Sequence, residues 1–184
     1  MDLIRAQQAH QSARLLFGAD DVEQAIQAVA EQVKADFADT FPLILCVMNG
    51  GFYLSGQLLR HWDFPLTLDY VHATRYRLST LGKSVVWKAY PQCELEERSV
   101  IIVDDIFDQG YTVEEVKTYC LEHGAHDCRS VFLMRKAHGR PTAAVTPDYF
   151  GLECDDCYVY GAGMDLNGHF RNLSAIYALP EKVI

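Results

Sequence analysis

Residues 99–112 limit what this chain can fold into more than any other stretch. Four consecutive aliphatic residues, Val100, Ile101, Ile102 and Val103, run directly into two carboxylates, Asp104 and Asp105, and then through Ile106, Phe107 and Asp108 into Gln109, Gly110, Tyr111 and Thr112. An unbroken β-branched run without polar alternation reads as a strand buried on both faces, the position of a central strand in a parallel sheet. Gly110 permits a tight turn, and Thr112 offers a cap for the helix that should follow. In an open parallel sheet a loop of this kind lies at the carboxyl end of its strand, where backbone amides and a helix N-terminus hold an anion. Two carboxylates would repel a bare phosphate unless they faced sugar hydroxyls or a divalent cation. The ligand class that satisfies both halves of the stretch is a nucleotide-like sugar phosphate with Mg²⁺.

The remainder of the chain fits one α/β domain over residues 1–184. With 184 residues and 49% hydrophobic content the chain is large enough for one core and cramped for two. Sixteen Lys and Arg against 25 Asp and Glu give a net charge of −9, which argues against broad binding to nucleic acid or to an anionic membrane. No apolar run approaches the roughly 20 residues of a membrane span. Residues 1–10 include Asp2, Gln7 and Gln8 and do not read as a secretory signal, so a cytoplasmic location is expected. Six scattered cysteines suit reduced thiols better than a disulfide scaffold. Cys154 and Cys157 form a C-x-x-C, but no second pair of ligands completes a zinc site, and two thiols near a strand start is the plainer reading.

Along the chain, residues 1–40 read as helical, with Asp20 or Asp21 capping a segment in which Val22, Ala25, Ile26, Val29, Val33 and Phe37 follow helical spacing. Residues 43–48 form a short buried strand, stopped by Asn49, Gly50 and Gly51, and 52–60 suit a helix. A strand is expected at 66–71. The polar stretch 72–88, with Arg75, Arg77, Lys83 and Lys88 around Gly82, reads as a surface hairpin or a mobile lid. A helix at 112–123 ending at Gly124, strands at 130–134, 149–152 and 158–160, and a loop at 135–148 complete the pattern. Strands alternating with helices imply a parallel sheet with right-handed crossovers.

The 99–112 stretch resembles the 5-phosphoribosyl-1-pyrophosphate (PRPP) signature of type I phosphoribosyltransferases, and the motifs downstream follow the order found in hypoxanthine-guanine phosphoribosyltransferases. The resemblance spans about residues 40–180. It implies the type I phosphoribosyltransferase fold: a central, mostly parallel sheet flanked by helices, a small hood formed by the chain termini (about 1–40 and 150–184), and a mobile active-site loop. The implied activity is purine salvage, in which hypoxanthine or guanine and PRPP give the nucleoside 5′-monophosphate and pyrophosphate with Mg²⁺.

Carried over position by position, the resemblance gives the amides of 108–112 (Asp108, Gln109, Gly110, Tyr111) and the Thr112 hydroxyl to the 5-phosphate, and Asp104 and Asp105 to the ribose or Mg²⁺. Asp108 becomes the general base facing purine N7. Met48, Asn49, Gly50 and Gly51 match the pyrophosphate loop, with a cis bond implied between Met48 and Asn49. Asn49 stands where a basic residue is common. Lys136, with Arg135 as rival, matches the donor to O6 of a 6-oxopurine. Tyr158 would stack on the base, the Val159 backbone would meet its edge, Asp165 would hold a second Mg²⁺, and Arg171 would contact pyrophosphate. On the polar loop the matching pair is Arg75 and Tyr76, where the family has serine and tyrosine. Gln109 and Tyr111 also depart from the usual residues of the phosphate loop. The expected partners are PRPP and the 6-oxopurine, with a homodimer or homotetramer as the assembly. Rival readings are a transferase for xanthine, adenine or a pyrimidine, a PRPP-binding regulator of the same fold, and a nucleotide-binding domain without transfer chemistry.

Overall fold

The aliphatic run at 100–103 is completely buried, and the sheet is built outward from it. The computed structural model describes residues 3–75 and 85–180. In chain order the elements are α1 (Leu3–Ser12), β1 (Arg14–Phe17), α2 (Ala19–Phe37), β2 (Leu43–Val47), α3 (Gly51–Leu58), β3 (Thr67–Arg75), β4 (Val85–Ala89), β5 (Ser99–Phe107), α4 (Tyr111–Glu122), β6 (Asp127–Ala137), β7 (Tyr149–Asp155), β8 (Val159–Tyr160) and β9 (Ile176–Ala178). Six strands form one sheet in the order β4-β3-β2-β5-β6-β7. Every neighbouring pair in it is parallel except the β3–β4 hairpin.

Because successive strand residues face opposite sides, β5 feeds two cores. Ile101 and Val103 join Val22, Ile26 and Val29 of α2 and Leu54 and Leu58 of α3. Val100 and Ile102 join Val113, Val116 and Cys120 of α4. Full burial on both faces is the reason the run carries no polar alternation. All six cysteines are free thiols.

Three local expectations are corrected. Residues 1–40 are not helical throughout: β1 interrupts them and pairs antiparallel with β9, which with β8 makes a separate three-stranded sheet. Strands of two to four residues joining opposite ends of the chain leave too little periodicity to read locally. At the start of α2 the cap is Gly18, whose N–H donates to Asp21 Oδ2 at 2.8 Å, so Asp21 works from inside the first turn. At α4 the cap is Gly110 at φ 81°, and Thr112 lies within the helix. A side chain at 110 would meet Phe107 at 2.8 Å in a left-handed conformation, which leaves glycine as the residue that fits.

A fourth difference positions the site. The break expected after Val103 does not occur, and β5 continues through Asp104 and Asp105 to Phe107. On one side β6 accompanies it to the Phe107–Arg135 pair, whereas on the other β2 stays paired only as far as Val103. The sheet therefore opens beyond the end of β2. The described flanks of the 72–88 stretch, in β3 and β4, pair antiparallel, and residues 76–84, including Tyr76, lie outside the described residues. No helix among the described residues is long and apolar enough to cross a membrane.

The turn from β2 into α3 tolerates little change. A Cβ at Gly51 would lie 2.2 Å from the Val103 carbonyl oxygen, whereas one at Gly56, exposed in α3, would meet nothing within 4 Å. Gly51→Ala is expected to destabilise the protein by at least about 2 kcal/mol, and Gly56→Ala to stabilise it by roughly 0.5–1 kcal/mol. Chemical denaturation of the two variants checks both signs.

Candidate active site

Residues of β2, β3, β4, β5, β6 and β8 and of the loops beside them meet where the sheet opens, around a cleft of about 680 Å³. The cleft gathers most of the residues singled out in the sequence: Asn49 and Gly50 after β2, Asp104, Asp105 and Asp108 from β5 and its turn, Lys136 from β6, and Tyr158, Val159, Asp165 and Arg171 from the segment around β8. The Met48–Asn49 peptide bond is cis. Gly50 packs against the Asp105 carboxylate so closely that a Cβ there would be 2.3 Å from Oδ2. Gln109, Gly110, Tyr111 and Thr112 do not line this cleft; they form the turn and the first residues of α4 beside it. The turn is tied to the following loop by Ala143 N–H donating to the Gln109 carbonyl at 2.8 Å and by Gln109 Nε2 donating to the Pro141 carbonyl at 2.9 Å. Arg75 ends β3, and its backbone is all that is described.

Strand alternation separates the two rival cations of β6. Lys136 lines the cleft. Arg135 pairs with Glu153 and lies over the Phe150 ring, 4.2 Å from its centroid.

The phosphoribosyl transferase domain model matches residues 18–167. This chain belongs to that family. It is 28% identical over 170 residues to the hypoxanthine-guanine-xanthine phosphoribosyltransferase of Tritrichomonas foetus, covering 92% of this chain and 93% of that protein. It is 27% identical over 176 residues to the hypoxanthine-guanine phosphoribosyltransferase of Bacillus subtilis, covering 95% and 97%. A solved structure of a hypoxanthine-guanine-xanthine phosphoribosyltransferase superposes with a TM-score of 0.84 at 27% identity, over 93% of this chain and 99% of that one.

Within this phosphoribosyltransferase the acids are held unequally. Arg171 donates through Nη1 to the Gly163 carbonyl at 2.5 Å, with Asp105 Oδ2 at 3.4 Å, and through Nη2 to Asp165 Oδ1 at 2.6 Å. Asp165 Oδ2 accepts from Gly168 N–H at 2.6 Å, so both of its oxygens are engaged. Burial, and next the Asp105 charge, push Asp104 well above the usual carboxylate range. Burial also raises Asp105 to about 6, against the opposing pull of Arg171. Among the described residues no group of three or more metal-ligating side chains is already assembled. Asp104 and Asp105 nevertheless suit Mg²⁺, which is commonly held by one or two carboxylates with substrate oxygens and water completing the shell.

Four further residues belong to this site. His138 and Arg140, in the loop after β6, grip Asp108: His138 Nε2 lies 3.1 Å from Oδ1 and Arg140 Nη2 lies 2.5 Å from it. Arg140 also reaches Asp156 at 2.8 Å. In sequence this is a loop carrying a histidine and an arginine, and nothing local points it back toward Asp108. His72 and Lys88 line the opposite end of the cleft. Burial, and then the nearby Lys88 charge, push the His72 imidazole below its ordinary value.

The raised value of Asp105 makes its ionisation a cost to the fold. Since the folded protein favours the protonated acid, that cost is absent below pH 4, grows as pH rises toward about 6, and is complete above it. Asp105→Asn, a neutral isostere, is expected to be more stable than the parent at pH 8 by roughly 1–3 kcal/mol, with the gain vanishing near pH 4. Calorimetry without substrate or divalent cation across that range is the measurement.

Proposed function

We propose that the chain is a purine-salvage enzyme that transfers the 5-phosphoribosyl group of PRPP to a 6-oxopurine, hypoxanthine or guanine, releasing pyrophosphate. The observation that carries the proposal is the sharing of one cleft by Asp108, Lys136 and the Tyr158–Val159 edge on one side and the Asn49–Gly50 loop on the other, with Asp104 and Asp105 between them. A base, a ribose and a diphosphate need that succession of chemistries.

In this reading the amides of the turn ahead of α4 hold the 5-phosphate with the help of the helix dipole. Asp104 and Asp105 receive the ribose hydroxyls. Tyr158 covers the base, its hydroxyl anchored on the Asp165 carbonyl at 3.1 Å, and Val159 offers its backbone to the purine edge. Lys136 is a donor without an acceptor, which selects a carbonyl at C6 over an amino group. Asp108 takes the proton at N7, and its negative charge also favours the positive, oxocarbenium-like sugar of the transition state. Arg140 and His138 hold that carboxylate in place, and Arg171 orients the acids on the pyrophosphate side. Asp104 and Asp105, with Asp165 nearby, would hold Mg²⁺, which would supply positive charge against the pyrophosphate. Arg75, at the end of β3, and Tyr76 after it are the residues assigned to shielding the sugar from water. Xanthine is the second base to consider, since the Tritrichomonas foetus relative is named for it. A second copy of the chain is the assembly partner, and the exposed Phe52, Leu68 and Tyr70 offer apolar surface for it.

Purified protein supplied with PRPP, Mg²⁺ and each of hypoxanthine, guanine, xanthine, adenine and uracil is expected to form nucleotide with the first two at least about 100-fold faster than with adenine or uracil. Lys136→Met should raise KM for the base about tenfold or more, while Arg135→Met leaves it near the parent value. Equal use of adenine would overturn the assignment.

Asp108→Asn is expected to lower kcat by about 10²-fold or more with an unchanged unfolding temperature. Arg140→Met should lower kcat by a smaller factor without changing KM for PRPP, and Arg140→Lys should recover part of the loss. Steady-state kinetics on the three variants separates the acid from the residue that positions it.

A further inference from the structure

The β3–β4 hairpin carries an irregularity aimed at the site. His72 is paired with Ala89 and the next residue, Ala73, with Trp87, so Lys88 has no partner across the ladder. A strand residue extruded in this way forms a bulge, which bends the strand and turns a side chain away from its regular direction. Here the extruded residue lines the cleft, beside His72 and Thr74 of β3 and the Met48–Gly50 loop.

The charges of the cleft give that placement a meaning. Its lining holds four carboxylates (Asp104, Asp105, Asp108 and Asp165) and three permanent cations (Lys88, Lys136 and Arg171). Arg171 is occupied by Asp165, Asp105 and the Gly163 carbonyl. Lys136 stands on β6, and the sheet order puts four inter-strand steps between it and β4, roughly 20 Å at the backbone. Lys88 makes no ion pair among the described residues and stands at the end of the cleft where the loop after β2 presents Asn49, a neutral side chain. If the base lies at the β6 end and the ribose at the β5 acids, the diphosphate must lie toward β2, β3 and β4.

We propose that Lys88, presented by the bulge, is a direct contact of the diphosphate group, supplying the cation that the Asn49 position lacks. The assignment rests on the phosphoribosyl-transfer reading of the cleft. Its consequence is a division of labour between two lysines: Lys136 governs the base, and Lys88 governs the group that leaves.

The test compares Lys88→Met, Lys88→Arg and, as a control for net charge, Lys34→Met on the far helix α2. Binding of inorganic pyrophosphate and of PRPP, each with Mg²⁺ and without base, is measured by calorimetry alongside steady-state kinetics. Lys88→Met is expected to weaken both ligands about tenfold, the loss of one charge-assisted contact. KM for the base and the unfolding temperature should stay near parent values. Lys88→Arg should regain most of the binding, and Lys34→Met should not change it. Pyrophosphate and PRPP constants for Lys88→Met within about twofold of the parent, or an equal loss in Lys34→Met, would overturn the proposal, as would a parent protein that binds neither ligand. A parent that binds pyrophosphate through Lys88 but transfers to no base would sink the enzymatic reading and leave the Lys88 contact standing.

Discussion

The site depends on a mismatch in length between two neighbouring strands. β5 stays hydrogen-bonded to β6 as far as Phe107, while its pairing with β2 ends at Val103. Beyond that point one edge of β5 faces an opening instead of a strand, and the residues that fall there are Asp104 and Asp105. The glycines after β2 allow the opening to stay narrow, because Gly50 and Gly51 come against the Asp105 carboxylate and the Val103 carbonyl at distances no side chain permits. Rigid strands fix the position of the acids, as a functional site requires.

That placement sets the electrostatics. Carboxylates mounted on a central strand lose water, and both members of the pair are pushed toward the protonated form. Such an arrangement spends stability to place two acids in the cleft. The compensating positive groups come from distant parts of the chain: Arg171 beyond β8, Arg140 beyond β6, Lys136 within β6 and Lys88 from the β3–β4 hairpin. Arg171 pairs with Asp105 and Asp165 and Arg140 with Asp108, while Lys136 and Lys88 line the cleft without an ion pair among the described residues.

The small sheet serves the same end. β1 and β8 flank β9, and His10 of α1 packs among Tyr160, Phe170 and Tyr177, with Nδ1 2.8 Å from the Tyr160 hydroxyl. Phe170, held at φ 66°, directly precedes Arg171. Both ends of the chain therefore brace the turn that delivers the arginine to the acids.

Patterns within a few residues were legible in the sequence: the buried central strand from its β-branched run, α2 from the spacing of Val22 to Phe37, α4 from the glycines that bound it, and the turn ahead of α4 from Gly110. The resemblance to phosphoribosyltransferases adds Asp108, Lys136, Tyr158, Asp165 and Arg171, all of which line the cleft. What escaped were the contacts made at long range. Strands as short as β1 and β9 have no period to detect, since pairing between opposite ends of the chain stabilises them. The Arg140 and His138 hold on Asp108 depends on where the loop after β6 folds back. Lys88 reads as one basic residue in a polar stretch until the β3–β4 register extrudes it. Local sequence determines which residues prefer strand, turn or helix because those preferences are set by neighbours along the chain. Which charges face one another was decided only by the tertiary structure, because sheet order and register bring together residues that are distant in sequence.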